Sequence, residues 1–225
     1  MGKIIFKCKI NNNLEVNSMD NLLFIGYEFL TAFVPFIVTF LIFNNMNKRK
    51  GILTSRIHCG ITIAFAIYII SVFYFTGTGT LYDILHHRSQ IRQKVNFIPF
   101  SNEIDIVVYL QNILLFIPFG ILLPFLWKKQ DKVLYILVSA FSFSMFIEIT
   151  QLLNNRSTDI DDLILNTIGG LIGYGIYKMF VCVMKSEPES YDCCKWEPII
   201  YIVVMFMGRF LLFNEFGFAK LLYGF

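Results

Sequence analysis

The chain has 225 residues, of which 56% are hydrophobic and only 16% charged, with a mean hydropathy of +0.62. Soluble domains carry about a quarter charged residues, so an ordinary soluble fold is excluded and lipid is the expected solvent. The net charge of +3 is spread along the chain, with no basic stripe carrying interleaved aromatics, so no nucleic-acid partner is expected.

The first 17 residues carry Lys3, Lys7 and Lys9 but no apolar core of signal-peptide length, so the first apolar block is expected to be an uncleaved anchor. Six segments approach the roughly 20 residues a spanning helix needs: 21–43, 57–75, 110–127, 132–153, 163–184 and 198–213. The third and sixth lie near the lower limit, and five spans with one segment in the membrane interface is the alternative. Phe and Ile crowd these blocks, which in water would favour strands. In lipid, every backbone group must be satisfied within the segment, and only helix does that here. The predicted class is all-α: a polytopic integral membrane helical bundle of about six spans, forming a single membrane domain over 1–225.

Short-loop Lys and Arg set the expected orientation. The first link carries Lys48, Arg49, Lys50 and Arg56; the third carries Lys128, Lys129 and Lys132; Lys178, Lys185 and Lys195 end the fifth segment and follow it. These regions are expected on the cytoplasmic side. The link between segments four and five sets one arginine, Arg156, against Asp159, Asp161 and Asp162, and is expected outside together with 76–105. The N-terminal lysines oppose this orientation, with Glu15 and Asp20 between them and the first span. Cys59, Cys182, Cys193 and Cys194 fall near the predicted cytoplasmic side, where thiols stay reduced. No Cys/His spacing suggests zinc, and neither a metal nor a cofactor is expected.

Polar groups at membrane depth are costly and tend to mark function. Here Glu28, Asn112, Glu148, Gln151, Asp159, Asp162 and Asn166 all fall toward the predicted outer halves of their segments, Arg209 lies near the middle of the sixth, and the inner halves hold almost nothing comparable. At 100° per residue, Asp159, Asp162, Asn166, Gly169 and Gly173 lie within about 80° of one another. The acidic face thus continues into a GxxxG pair that permits close helix approach. Glu148 and Gln151 share a face of the preceding helix, and the short link makes segments four and five antiparallel neighbours, so Glu148 and Asp162 can face one cavity. Helix-start chemistry competes for part of this stretch: Thr158 with Asp161 fits a capping box, and acidic residues suit a first helical turn. Arg209 has Glu28 and Glu148 as candidate ion-pair partners, while His86 and His87 read as solvated loop residues.

Within 76–105, Pro99 forbids a regular helix in the apolar run Asn96-Phe97-Ile98-Pro99-Phe100. This NFIPF piece is predicted to be an interfacial or re-entrant segment. It carries Arg92 and Lys94 toward the acidic mouth or toward an anionic headgroup; an interfacial aromatic anchor is the simpler reading. Pro118 and Pro124 predict kinks in the third segment.

Three pieces in this order, IRQKVNFIPF, QNILLFIPFGILLP and FIEITQLLNNRSTDIDDLILNTIGGLIGY, resemble the VanZ-like membrane proteins over about residues 92–174. The shared positions are Arg92, Asn96, Pro99, Asn112, Pro118, Glu148, Gln151, Arg156, Asp159, Asp161, Asp162 and Asn166. The resemblance implies a bacterial cell-membrane protein, Gram-positive in origin. Founding members of that family lower susceptibility to teicoplanin with little effect on vancomycin, without the enzymes that rebuild the D-Ala-D-Ala terminus. Their biochemical activity is not established, so no catalytic residue carries over.

Three functions compete. The first is a non-enzymatic envelope factor whose outward-facing polar site binds a lipid-linked cell-wall precursor or the lipoglycopeptide itself; membrane lipids are its other partners. The second is a membrane-embedded enzyme acting on a lipid headgroup, with Glu148 as general acid or base, Arg92 and Arg156 on phosphate, and Asp159 and Asp162 on a divalent cation. The third, a carrier, lacks a polar path across the bilayer and a visible inverted repeat.

Overall fold

The structure is a computed structural model that describes residues 18–52, 54–86, 95–96, 98–100, 105–152, 158–185 and 196–223. Its helices are α1 (Ser18–Arg49), α2 (Arg56–Thr76), α3 (Leu81–His86), α4 (Ile106–Leu126), α5 (Val133–Leu152), α6 (Ile160–Met184), α7 (Glu197–Leu212) and α8 (Glu215–Tyr223). The only strands among the described residues are β1 (Val95–Asn96) and β2 (Thr158–Asp159), paired in parallel as Val95 with Thr158 and Asn96 with Asp159. The protein is an all-α membrane bundle apart from that two-residue ladder. Among the described residues, five helices are long and apolar enough to cross a membrane. The sixth predicted segment, 198–213, is α7, which is long and apolar enough only when taken together with α8 across a bend of 53°.

Helix ends follow local chemistry. Ser55 caps α2 by accepting the His58 amide at 3.2 Å. Gly77, at φ 61°, closes the other end, and its left-handed backbone turns its N–H onto the carbonyls of Phe73 and Tyr74. Asp105 accepts the amides of Val107 and Val108, so α4 begins four residues ahead of the predicted 110. Pro118 and Pro124 both sit inside α4, which runs on through them as one helix. α1 has 32 residues, about 48 Å at 1.5 Å per residue, longer than a hydrocarbon core of about 30 Å.

The bundle turns apolar surface both inward and outward. Inside lie Phe65, Phe73, Phe116, Phe119, Phe143 and Trp127, with Phe119 and Phe143 stacked 5.2 Å apart. Outside, Val34, Leu41, Leu114, Leu134 and Val183 are exposed, the pattern expected where lipid replaces water.

Glycines set the closest packing. A Cβ at Gly169 would overlap the carbonyl oxygen of Ile113, and one at Gly173 the carbonyl oxygen of Ile117. Gly120 lies equally close to the backbone of Gly170. The register rises along both chains, so α4 and α6 run parallel, backbone against backbone. α5 returns between their ends, packing Ala140 against Gly170. α1 and α7 form a second close pair, where Gly208 meets the carbonyl oxygen of Thr31.

Candidate functional site

The parallel run of α4 and α6 puts their N-terminal turns side by side, and the polar residues of both helices meet there. The ladder sits at the outermost level. Asn96 Nδ2 donates to both oxygens of Asp159 at 3.3 Å, and Asn96 Oδ1 accepts from the Ile98 amide at 3.1 Å. Asp159 is also the N-cap of α6, accepting the Asp161 amide at 3.1 Å. Asp161 is 2% exposed and accepts from the Phe100 amide at 2.8 Å and from Tyr109 Oη at 2.6 Å. Phe100 holds φ 55° in making this contact. Thus the described part of NFIPF, Asn96 and Ile98 to Phe100 with Pro99 in its turn, closes over the start of α6.

One turn deeper, Asn112 Nδ2 donates to Asp162 Oδ1. Deeper again, Asn166 Nδ2 donates to Ser144 Oγ at 2.9 Å. Asn166 is 3% exposed, and its Oδ1 has no hydrogen-bond partner among the described residues. Ser144 and Glu148 are one turn apart on α5, which runs against α6, so Glu148 lies near the level of Asp162. Glu148 is buried, and its carbonyl accepts from Thr158 Oγ1 at 3.2 Å. Gln151 Nε2 is used elsewhere, donating to the Thr76 carbonyl at 2.9 Å, while the Gly79 amide donates to the Thr150 carbonyl. These two bonds fasten the end of α5 to the end of α2. Arg92, Arg156, His87 and the predicted cation Lys94 lie outside the described residues, as does the side chain of His86.

Several expectations change. Thr158 and Asp161 do not form a capping box: Asp159 is the cap, because α6 begins at Ile160 rather than 163 and Thr158 is held in the ladder. Asp161, read as helix-start chemistry, is more buried than Asp162, because Phe100 and Tyr109 cover it. Arg209 chooses Glu28: its Nη2 and Nε lie 2.7 and 2.8 Å from Glu28 Oε1, and its Nη1 donates to the carbonyl and hydroxyl of Thr78. The polar asymmetry is also weaker than predicted. At the opposite, lysine-bearing end, Glu197 is 4% exposed and accepts from Trp127 Nε1 at 3.3 Å and Tyr201 Oη at 2.8 Å. Asn47 and His58 are buried at that end as well.

Sequence reasoning missed Tyr109, Ser144 and Glu197. Tyr109 is three residues before Asn112 and Ser144 four before Glu148, so helical spacing alone placed both on the polar faces. Glu197 gave no such signal, standing at the edge of its apolar block. Among the described residues, no three of His, Cys, Asp and Glu gather as a ligand set for a metal ion.

The VanZ/LLP1 family model matches residues 65–181, from the middle of α2 to the last turns of α6. Protein VanZ of Enterococcus faecium is 29% identical over 115 residues, covering 50% of this chain and 70% of that protein. No solved structure matches. The match takes in α4, α5, α6 and the ladder, the elements that assemble the polar cluster, and this multi-pass membrane protein belongs to the VanZ/LLP1 family.

Proposed function

We propose that the protein is an accessory envelope factor that lowers susceptibility to teicoplanin-type lipoglycopeptides. In this reading the polar cluster of α4, α5 and α6 faces the extracytoplasmic side and binds a lipid-linked envelope component or the drug's own polar core. The observation that carries it is the half-satisfied amide of Asn166, buried beneath Asp162 and beside Ser144. A buried polar atom left without a partner costs about 1–3 kcal/mol, and a bound hydroxyl or amide would recover it. Teicoplanin carries an acyl chain and vancomycin does not, so a site within the membrane separates the two. Deleting the gene is expected to lower the teicoplanin inhibitory concentration and leave vancomycin unchanged. Re-expressed Asn166→Leu, at wild-type abundance, should fail to restore it. Equal shifts for both drugs would sink the proposal.

The burial of Glu148 favours one second reading, an enzyme that modifies a lipid or wall-precursor headgroup with Glu148 as general acid or base. Asp159 and Asp162 are engaged by Asn96 and Asn112, which makes them weaker candidates for a cation. Folded protein incubated with labelled lipid precursor, with and without magnesium, should then yield product that Glu148→Gln abolishes. No turnover in either condition would remove this reading.

A further inference from the structure

A groove of about 710 Å³ runs between α5 and α7, from the end of the bundle opposite the polar cluster up to Phe146 on α5. Its walls are apolar, with Phe143 and Phe146 on α5 facing Ile199 and Ile202 on α7. Its mouth carries Lys128, Lys129 and Lys132 from the α4–α5 link and Trp196 from the start of α7. The size falls within the range of about 300–1,000 Å³ typical of small-molecule sites. Charge decides what fits. Asp131, the acid within that lysine run, is turned away: it lies 2.6 Å from Lys178 Nζ and accepts from Tyr174 Oη at 2.9 Å, both on α6. It therefore serves α6 rather than neutralising the groove mouth. An apolar slot in a bilayer fills with hydrocarbon, and clustered lysines at its rim select a negative headgroup.

We propose that this groove is a binding site for an anionic phospholipid, drawn from the leaflet at the lysine-bearing end. One acyl chain lies between α5 and α7, and the phosphate meets Lys129 and Lys132. By the charge rule that leaflet is the cytoplasmic one. The site is separate from the polar cluster and does not depend on the function proposed above.

The two tryptophans provide the measurement. Trp196 is 55% exposed at the mouth, whereas Trp127 is 1% exposed. Full-length protein is reconstituted in phosphatidylcholine bilayers doped with dibrominated phosphatidylglycerol, whose bromines quench indole fluorescence on contact. Quenching is expected to saturate at low mole fraction and to vanish in Trp196→Phe, while dibrominated phosphatidylcholine quenches only in proportion to its bulk amount. Replacing one lysine, as in Lys129→Gln, should raise the half-saturating fraction about fivefold, and replacing Lys129 and Lys132 together about thirtyfold. Ser142→Phe, which fills the groove and leaves the lysines, should abolish saturation. Lys48→Gln with Lys50→Gln, at the same end but off the groove, should change nothing. The proposal is overturned if both brominated lipids quench alike, if Ser142→Phe retains saturation, or if the Lys48 and Lys50 pair matters as much as the groove lysines.

Discussion

Arg209 shows how one side chain at membrane depth is made tolerable. It is 5% exposed, yet it meets Glu28 from α1 and Thr78 from the α2–α3 link, and its guanidinium lies 5.6 Å from the Phe213 ring centre. Removing one partner of a buried pair leaves an uncompensated charge, a loss of about 3–5 kcal/mol, whereas replacing both by apolar residues is close to neutral. Glu28→Ala should therefore lower the thermal midpoint of purified protein more than Glu28→Leu with Arg209→Met does. A single variant milder than the double would refute this account. The candidate pairing of Arg209 was legible in the sequence, but the choice between Glu28 and Glu148 was not, because it depends on which helices pack together. The burial of Asp161 was hidden for a related reason. Its covers, Phe100 and Tyr109, stand 61 and 52 residues away. Helical periodicity assigns a residue to a face; it says nothing of the loop that folds over that face.

Among the elements, the seam between α4 and α6 is the tightest described. Gly173→Leu would drive a side chain into the Ile117 carbonyl and force the two backbones apart, with overpacking of this kind costing about 1–3 kcal/mol or more. Gly175, two residues on, has open space around its position, so Gly175→Ala should be neutral or gain about 0.5–1 kcal/mol. Unfolding in mild detergent separates the two variants; equal stability would mean that the seam does not depend on Gly173. The five long spans and the antiparallel turn from α5 to α6 followed from apolar length and a short link. The GxxxG pair announced a close approach but not with which helix, and the partner proved to be α4, two elements back. The ends of α4 and α6 were misplaced because Asp105 and Asp159 cap them ahead of the apolar runs, which hydropathy alone cannot see.

At the scale of the whole molecule, the basic ends and the polar cluster divide the bundle into two faces. Lys48, Arg49, Lys128, Lys129 and Lys178 gather at one end, and the ladder, Asp161 and the bend after α7 at the other. If the basic end is cytoplasmic, cysteine introduced at Lys129 in a cysteine-free background should resist membrane-impermeant maleimide in intact cells. Cysteine at Ile98, which is 68% exposed beside the ladder, should react. The reverse pattern would invert the molecule and place the polar cluster inside.

The Arg209–Glu28 bond also imposes an order in time. Its two halves are 181 residues apart, so Glu28 enters the membrane long before its partner exists. At about 5–20 residues per second, the ribosome needs some 10–40 s to deliver Arg209. Through that interval α1 lies without the guanidinium that meets Glu28 in the folded protein. The protein is thus locked by one of its last helices, and a chain that stalls before α7 is left with an uncompensated acid in its first span.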